Sequence, residues 1–290
     1  MPIPKENIEI YKQIPKPIDD PFGGPEGIAY ANDGNIYVGC GDGWIYFVSL
    51  EGKVVPFANT GGRPLGIAID RNGKLFVCDM NARLVHRVTK SGKISVFAQA
   101  AGERQMQAPN FCVFDDQGWL YISDSGSSTL DAPINDGAIF RVSPSGECDL
   151  FAEGFYLPNG LAMRSGESAL YVIQTTEDNI LRLEIKPDRS LGEIGVYASG
   201  MDTIPDGMAF AEDGDLYVVA AGSDMIYQVF PDGQSSVFAY DPDREGFYAA
   251  ANCAFGGPDG NQLFISNLGG HISRIANVSK GQLLYHQLLK

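Results

Sequence analysis

One feature constrains this chain above any other: a proline-led segment recurs at Pro25, Pro64, Pro109, Pro158 and Pro205, with Ala251 in place of proline in a sixth copy. The intervals are 39, 45, 49, 47 and 46 residues. A period of this size belongs to a repeat architecture in which one supersecondary unit cannot bury its apolar face alone. Each start is followed by a turn and a β-rich run: Asp33-Gly34 then Ile36-Tyr37, Asn72-Gly73 then Leu75-Phe76, Gln117-Gly118 then Leu120-Tyr121, Ser165-Gly166 then Leu170-Tyr171, Asp213-Gly214 then Leu216-Tyr217, Asp259-Gly260 then Leu263-Phe264. Glycine after a short polar residue supplies the positive φ that tight hairpins need.

A third strand follows in every copy, such as Ile139-Phe140-Arg141-Val142. A fourth, marked by an aromatic-alanine pair, closes five of them: Phe57-Ala58, Phe97-Ala98, Phe151-Ala152, Tyr197-Ala198 and Phe238-Ala239. Four strands per unit and six units predict an all-β, six-bladed β-propeller occupying residues 1–290 as one domain. No long apolar stripe of period 3.6 supports a helical solenoid. The sixth copy lacks the marker, whereas Glu9-Ile10-Tyr11 imitates it, so an N-terminal strand near 7–13 is expected to complete the last blade and remove an open edge. Leu283-Leu284-Tyr285 is the competing candidate.

Composition narrows the partners. The net charge is −15 and no run of lysine or arginine concentrates positive potential, which disfavours nucleic acid and acidic lipid surfaces. Lys5, Glu6, Lys12 and Lys16 interrupt the apolar runs of residues 1–20, and no stretch is long enough to span a membrane. The five cysteines, Cys40, Cys78, Cys112, Cys148 and Cys253, are single and lack CxxC spacing. They read as small buried residues of a reducing, cytoplasmic compartment. The expected partner is a small molecule.

In a propeller the residue after the repeated proline faces the central channel at a common depth. That column reads Glu26, Leu65, Asn110, Asn159, Asp206 and Asn252. Two carboxylates and up to three amide carbonyls make a hard, all-oxygen cage suited to a divalent cation, Ca2+ first, with Mg2+, Mn2+ or Zn2+ as alternatives. The competing reading is a ring of polar residues hydrogen-bonded to channel water. Other residues assigned to the same face are Asp124, the loop 125–136 that follows it, Tyr156, His271, and a rim of Phe22, Phe247 and Tyr248. The loop is expected to act as a lid or pocket wall, with its serines and Asp131 or Asp136 as donors to a second ion. No Gly-x-Ser-x-Gly elbow supports serine-hydrolase chemistry.

Pro25-Glu26-Gly27, Pro158-Asn159-Gly160-Leu161-Ala162, Pro205-Asp206-Gly207-Met208-Ala209 and Cys253-Ala254-Phe255-Gly256-Gly257 together resemble the senescence marker protein, gluconolactonase and luciferin-regenerating enzyme family. The resemblance extends to diisopropyl-fluorophosphatase-type phosphotriesterases. It implies a divalent metal held by Glu26, Asn159 and Asp206, with Asn110 beside metal and substrate, and lactone hydrolysis as the activity. Asp206 then serves as general base or nucleophile, while Asn110 and Asn252 orient the substrate oxygen. Phosphotriester hydrolysis and a non-catalytic, metal-stapled propeller that binds a peptide are the alternatives. The chain departs from the family before Asn110, where a sugar-acid-binding arginine gives way to Gln105-Met106-Gln107-Ala108-Pro109.

Overall fold

The computed structural model describes residues 2–201 and 203–288. The chain divides into two compact units, Met1–Pro64 with Thr203–Gln282, and Leu65–Asp202 with Leu283–Lys290. Six four-stranded antiparallel sheets account for nearly all regular structure, and the fold class is the six-bladed β-propeller. Blades are numbered here by the sequence order of their first strands: Pro25–Tyr30, Pro64–Ile69, Pro109–Phe114, Pro158–Met163, Pro205–Phe210 and Ala250–Gly256. Blades one, five and six lie in the first unit, and blades two, three and four in the second, with Pro64 at the boundary.

The second strands begin after turns in which Gly34, Gly73, Gly118, Gly166, Gly214 and Gly260 all have φ between 72° and 92°. A residue with a Cβ is strained in that conformation, which is why glycine holds this position in every copy.

The aromatic-alanine marker has a packing explanation. Its ring meets, edge to face, the aromatic of the second strand of the same blade: Phe57 on Tyr37, Phe97 on Phe76, Phe151 on Tyr121, Tyr197 on Tyr171 and Phe238 on Tyr217, at 4.6–5.3 Å between centroids. In each blade the marker ring also falls where the fourth-strand register shifts, so a bulge turns it toward its partner. Blade six takes the same contact from Tyr11, 5.3 Å from Phe264, on a strand Ile8–Gln13 paired with His271–Ala276. Its register also shifts at that ring, between Ile10 and Lys12. The segment Leu283-Leu284-Tyr285 leads instead into a short 3-10 turn, Tyr285–Gln287, whose Tyr285 ring lies 5.0 Å from Phe114 and beneath the Arg71 guanidinium.

Within each unit the core sits between consecutive blades. Tyr217, Val219 and Ile226 of blade five pack with Cys253, Leu263 and Ile265 of blade six, and Tyr121 and Ile139 of blade three pack with Leu161, Leu170 and Val172 of blade four. Cys40, Cys78, Cys112 and Cys253 are buried and all five thiols are free, as a small apolar residue in such a seam requires. Among the described residues no helix is long and apolar enough to cross a membrane.

Candidate functional site

The first strands of blades one, three, four, five and six open with a register shift against their second strand. Pro25, Pro109, Pro158 and Pro205 pair with Cys40, Asp124, Gln174 and Ala220, and regular pairing resumes at Ile28, Phe111, Leu161 and Met208. Glu26, Asn110, Asn159 and Asp206 therefore stand in bulges, which bend the strand and re-aim the side chain at its mouth. Leu65, the corresponding residue of blade two, is buried.

Blade six corrects the sixth position. Ala250 pairs with Asn267, and Asn252 with Ser266, so Ala251 is the counterpart of Asn110, and Asn252 corresponds to Phe111. The side chains agree with the register. A Cβ on Gly66 would meet the Phe111 backbone and ring at 2.6–2.7 Å, and one on Gly207 would meet the Asn252 amide at 2.3 Å. Both side chains lie across the glycine of the preceding blade. Asn252 Oδ1 accepts the Cys253 N–H at 2.9 Å, so this amide props Asp206's strand and does not stand in the ring. Gly207→Ala is expected to destabilise the protein by about 1–3 kcal/mol through this overlap. Urea unfolding checks it.

In the first unit the Ser266 hydroxyl donates to the Glu26 carbonyl and accepts the Asn252 N–H at 3.1 Å, tying two first strands together. The Glu26 side chain keeps some contact with solvent, yet protein crowds it closely. Loss of water raises its carboxyl to about 7, against the downward pull of the Arg63 guanidinium. Asp206 is half-buried.

In the second unit Ser123 plays the part of Ser266. Its hydroxyl lies 2.6 Å from the Asn159 carbonyl and accepts the Phe111 N–H at 3.0 Å. Asn110 is buried and its Nδ2 donates to Ser125 Oγ at 3.3 Å. Asn159 is also buried, and its Oδ1 has no hydrogen-bond partner among the described residues. A buried carbonyl left without a donor costs about 1–3 kcal/mol, and a cation is one group that recovers that cost. Oxygen donors of this kind, amide carbonyls with carboxylates, suit a hard divalent ion. Among the described residues no three His, Cys, Asp or Glu side chains gather as metal donors, so a metal held here depends on the amides.

Several sequence-assigned residues take structural work instead. Both Asp124 oxygens are engaged by backbone N–H groups of Gln107, Ala108 and Gly126, at 2.6, 3.1 and 2.9 Å. Burial raises its pKa and those bonds oppose the rise. The same tether recurs where Gln174 accepts the Tyr156 N–H and Asn267 the Tyr248 N–H, both at 3.0 Å. In each case the second strand's last residue grips the backbone two residues ahead of the first strand of its own blade. Tyr156 itself is half-buried. His271 Nε2 lies 2.9 Å from the Gly246 carbonyl, and burial lowers its pKa, so it belongs to a neutral, buried anchor of the 241–249 loop. Phe247 is fully buried in the blade five and six seam and does not line a rim. Phe22 and Tyr248 are exposed and stacked, 6.4 Å apart at 14°. Asp136 spends its carboxylate on the Ser127 N–H and hydroxyl, closing the 125–136 loop on itself, and Asp131 is exposed.

Sequence reasoning missed Arg63, Ser123 and Ser266, and placed Ser125 only among the serines of the 125–136 loop. The serines left a trace: Ile122-Ser123-Asp124 and Ile265-Ser266-Asn267 repeat one motif at the second-strand end. Arg63 precedes the one copy whose ring residue is leucine, and nothing in that copy drew attention to it.

Residues 25–268 match the family described as SMP-30/Gluconolactonase/LRE-like region. The chain is 28% identical over 231 residues to a gluconolactonase of Zymomonas mobilis, covering 69% of this chain and 60% of that one. It is 31% identical over 192 residues to the diisopropyl-fluorophosphatase of Loligo vulgaris, covering 60% of each. It thus spans only 60% of the length of either relative. The solved structure of a calcium-binding protein, regucalcin, from Agrobacterium tumefaciens superposes with a TM-score of 0.80 over 97% of both chains at 15% identity, which establishes a shared fold. With the motif residues on bulged first strands and the match running over most of its length, the chain belongs to the SMP-30/gluconolactonase/LRE-like family.

Proposed function

We propose that the protein is a divalent-metal-dependent hydrolase of small cyclic esters, with lactones as substrates and Ca2+ as the resident ion. Glu26, Asn110, Asn159 and Asp206 would hold the cation. The observation that carries this reading is the buried Asn159 Oδ1 left without a partner at the mouth of a bulged strand. The raised Glu26 carboxyl supports it, because a carboxylate that burial makes costly to ionise is stabilised by a cation beside it. The gluconolactonase relative and the superposed calcium-binding protein, regucalcin, point the same way.

When bound, the ion supplies Lewis-acid polarisation of the scissile carbonyl. The chain's own groups do the rest. Asp206, half-buried, accepts the proton of the attacking water as that water adds to the carbonyl carbon, and returns it to the departing ring oxygen. The Asn110 amide orients the substrate oxygen, and the exposed Phe22 and Tyr248 pair offers an apolar surface to the remainder of the ligand.

Metal analysis of the purified protein, paired with a pH-indicator screen over lactones of different ring and chain size, with and without chelator, tests the reading. Turnover that survives complete metal removal would overturn it. The similarity to diisopropyl-fluorophosphatase favours phosphotriesters as a second substrate class, in which P=O replaces C=O at the same site. The same screen run with a fluorophosphate separates the two by relative kcat/KM.

A further inference from the structure

The metal reading requires that Asn110 present its amide oxygen, and not its NH2, to the ion. What turns it that way is decided by a residue outside the proposed donor set. Ser125, buried at 3% exposure, follows the second strand of blade three, where its backbone N–H donates to the Ala108 carbonyl at 2.9 Å. Its Oγ lies 2.9 Å from the Pro158 carbonyl oxygen and 3.3 Å from Asn110 Nδ2. A hydroxyl has one proton, and a carbonyl oxygen only accepts. The Ser125 proton is therefore committed to Pro158, which leaves only lone pairs facing Asn110. Of the two ends of that amide, only the NH2 can meet a lone pair. The Asn110 oxygen is thereby turned away from Ser125.

The other blades serve as internal controls. The residue at the Ser125 position is identified by the same backbone hydrogen bond: Thr175 N–H to Leu157 O, Ala221 N–H to Ile204 O, and Leu268 N–H to Ala249 O. In blades one and two the residue after the second strand is Gly41 and Met80. Hydroxyl residues stand there only in blades three and four, whose bulged residues are the amides Asn110 and Asn159. Blades one and five carry carboxylates, whose two oxygens are equivalent and need no orienting, and blades two and six carry Leu65 and Ala251. The hydroxyl accompanies the amide.

We infer that Ser125 is a positioning residue that fixes the polarity of the Asn110 amide, so that its carbonyl end is preset as a donor to a cation. The inference rests on the metal reading above. Neighbouring Ser123, two residues earlier, holds the same pair of first strands through backbone atoms alone, which separates holding the strands from orienting the amide.

Isothermal titration with CaCl2 alone tests it, read against melting temperature and far-UV circular dichroism. Ser125→Ala is expected to weaken calcium binding about 10- to 100-fold with the secondary structure unchanged, the range seen when an outer partner of a metal ligand is lost. Ser125→Thr keeps the hydroxyl and is expected to stay within about threefold of wild type. The decisive arm is the Asn110→Asp background, where the side chain has no wrong end. There, adding Ser125→Ala is expected to change affinity by less than about threefold. Equal losses in both backgrounds, or wild-type affinity in Ser125→Ala, would overturn the assignment while leaving the metal reading standing. Absence of calcium binding by the wild type overturns both. If Ser125→Ala does not fold, Ser125→Cys, a weaker donor of similar size, is read in the same way.

Discussion

Asp206→Asn is expected to lower lactone turnover by roughly three orders of magnitude at saturating calcium while leaving the melting profile of the calcium form close to wild type. The substitution keeps size and one carbonyl oxygen, so the bulged strand start at Pro205 and the packing of Asn252 on Gly207 are preserved. It removes the carboxylate that accepts the proton of the attacking water. An asparagine in that place still offers an oxygen to a cation but has no basicity near neutral pH. Calcium affinity and kcat must therefore be measured on the same preparation. A loss confined to calcium affinity, with kcat restored at high calcium, would show that Asp206 only holds the ion and that the base lies elsewhere.

The second large effect is in pH. Burial raises the Glu26 carboxyl to about 7 in the metal-free protein, so below that value the group is mostly protonated and must lose a proton before it can meet a cation. Calcium affinity is expected to fall by about tenfold per unit as pH drops below 7, roughly 100-fold between pH 7 and pH 5. The sign for stability is opposite in the metal-free protein. The native state there binds the proton more tightly than the unfolded chain, so stability declines as pH rises from about 4.5 to 7, by up to roughly 3 kcal/mol. Bound calcium removes that penalty. The gain in melting temperature on adding calcium should accordingly be small at pH 5 and large at pH 8. Glu26→Gln should flatten the dependence, at the expense of affinity. A calcium-induced shift that is the same at pH 5 and pH 8 in the wild type would show that Glu26 does not titrate against the ion.

Much of the architecture was legible before any coordinates. Period, turn glycines and the aromatic-alanine marker each reflect a local requirement: a positive φ, a hairpin of fixed span, an aromatic edge contact within one blade. Such requirements recur identically in every copy, so a repeat displays them. Tyr11 was recognisable as the sixth marker for the same reason, because the ring has to meet Phe264 as its counterparts meet Tyr37 or Tyr217. Glu26, Asn110, Asn159 and Asp206 could be read as a column because the proline ahead of each one fixes the count.

Where the proline is missing the count slipped. Without it, Ala250 and Ala251 cannot be told apart along the chain, and a bulge adds one residue that no periodicity announces. Asn252 was placed in the column for that reason, and only the pairing with Ser266 moves it to the neighbouring face. Asp124 and His271 failed differently. An acid or imidazole at a strand end looks the same in a sequence whether it meets a substrate or a backbone N–H. What separates the cases is the tether to Gln107, Ala108 and Gly126 in one and to Gly246 in the other.

By itself, then, the sequence determined the repeat, the number of blades and the chemical character of the first-strand mouths, since all of these follow from short-range rules that each copy must obey, whereas only the pairing of Ile8–Gln13 with His271–Ala276 chose between the two candidate closing strands. Tertiary structure alone decided which polar groups are already spent on the backbone, which oxygen is left over at Asn159, and which way the Asn110 amide is turned. Hydrogen-bond satisfaction is settled between strands far apart in the chain, and a donor's partner leaves no mark on the residues beside it.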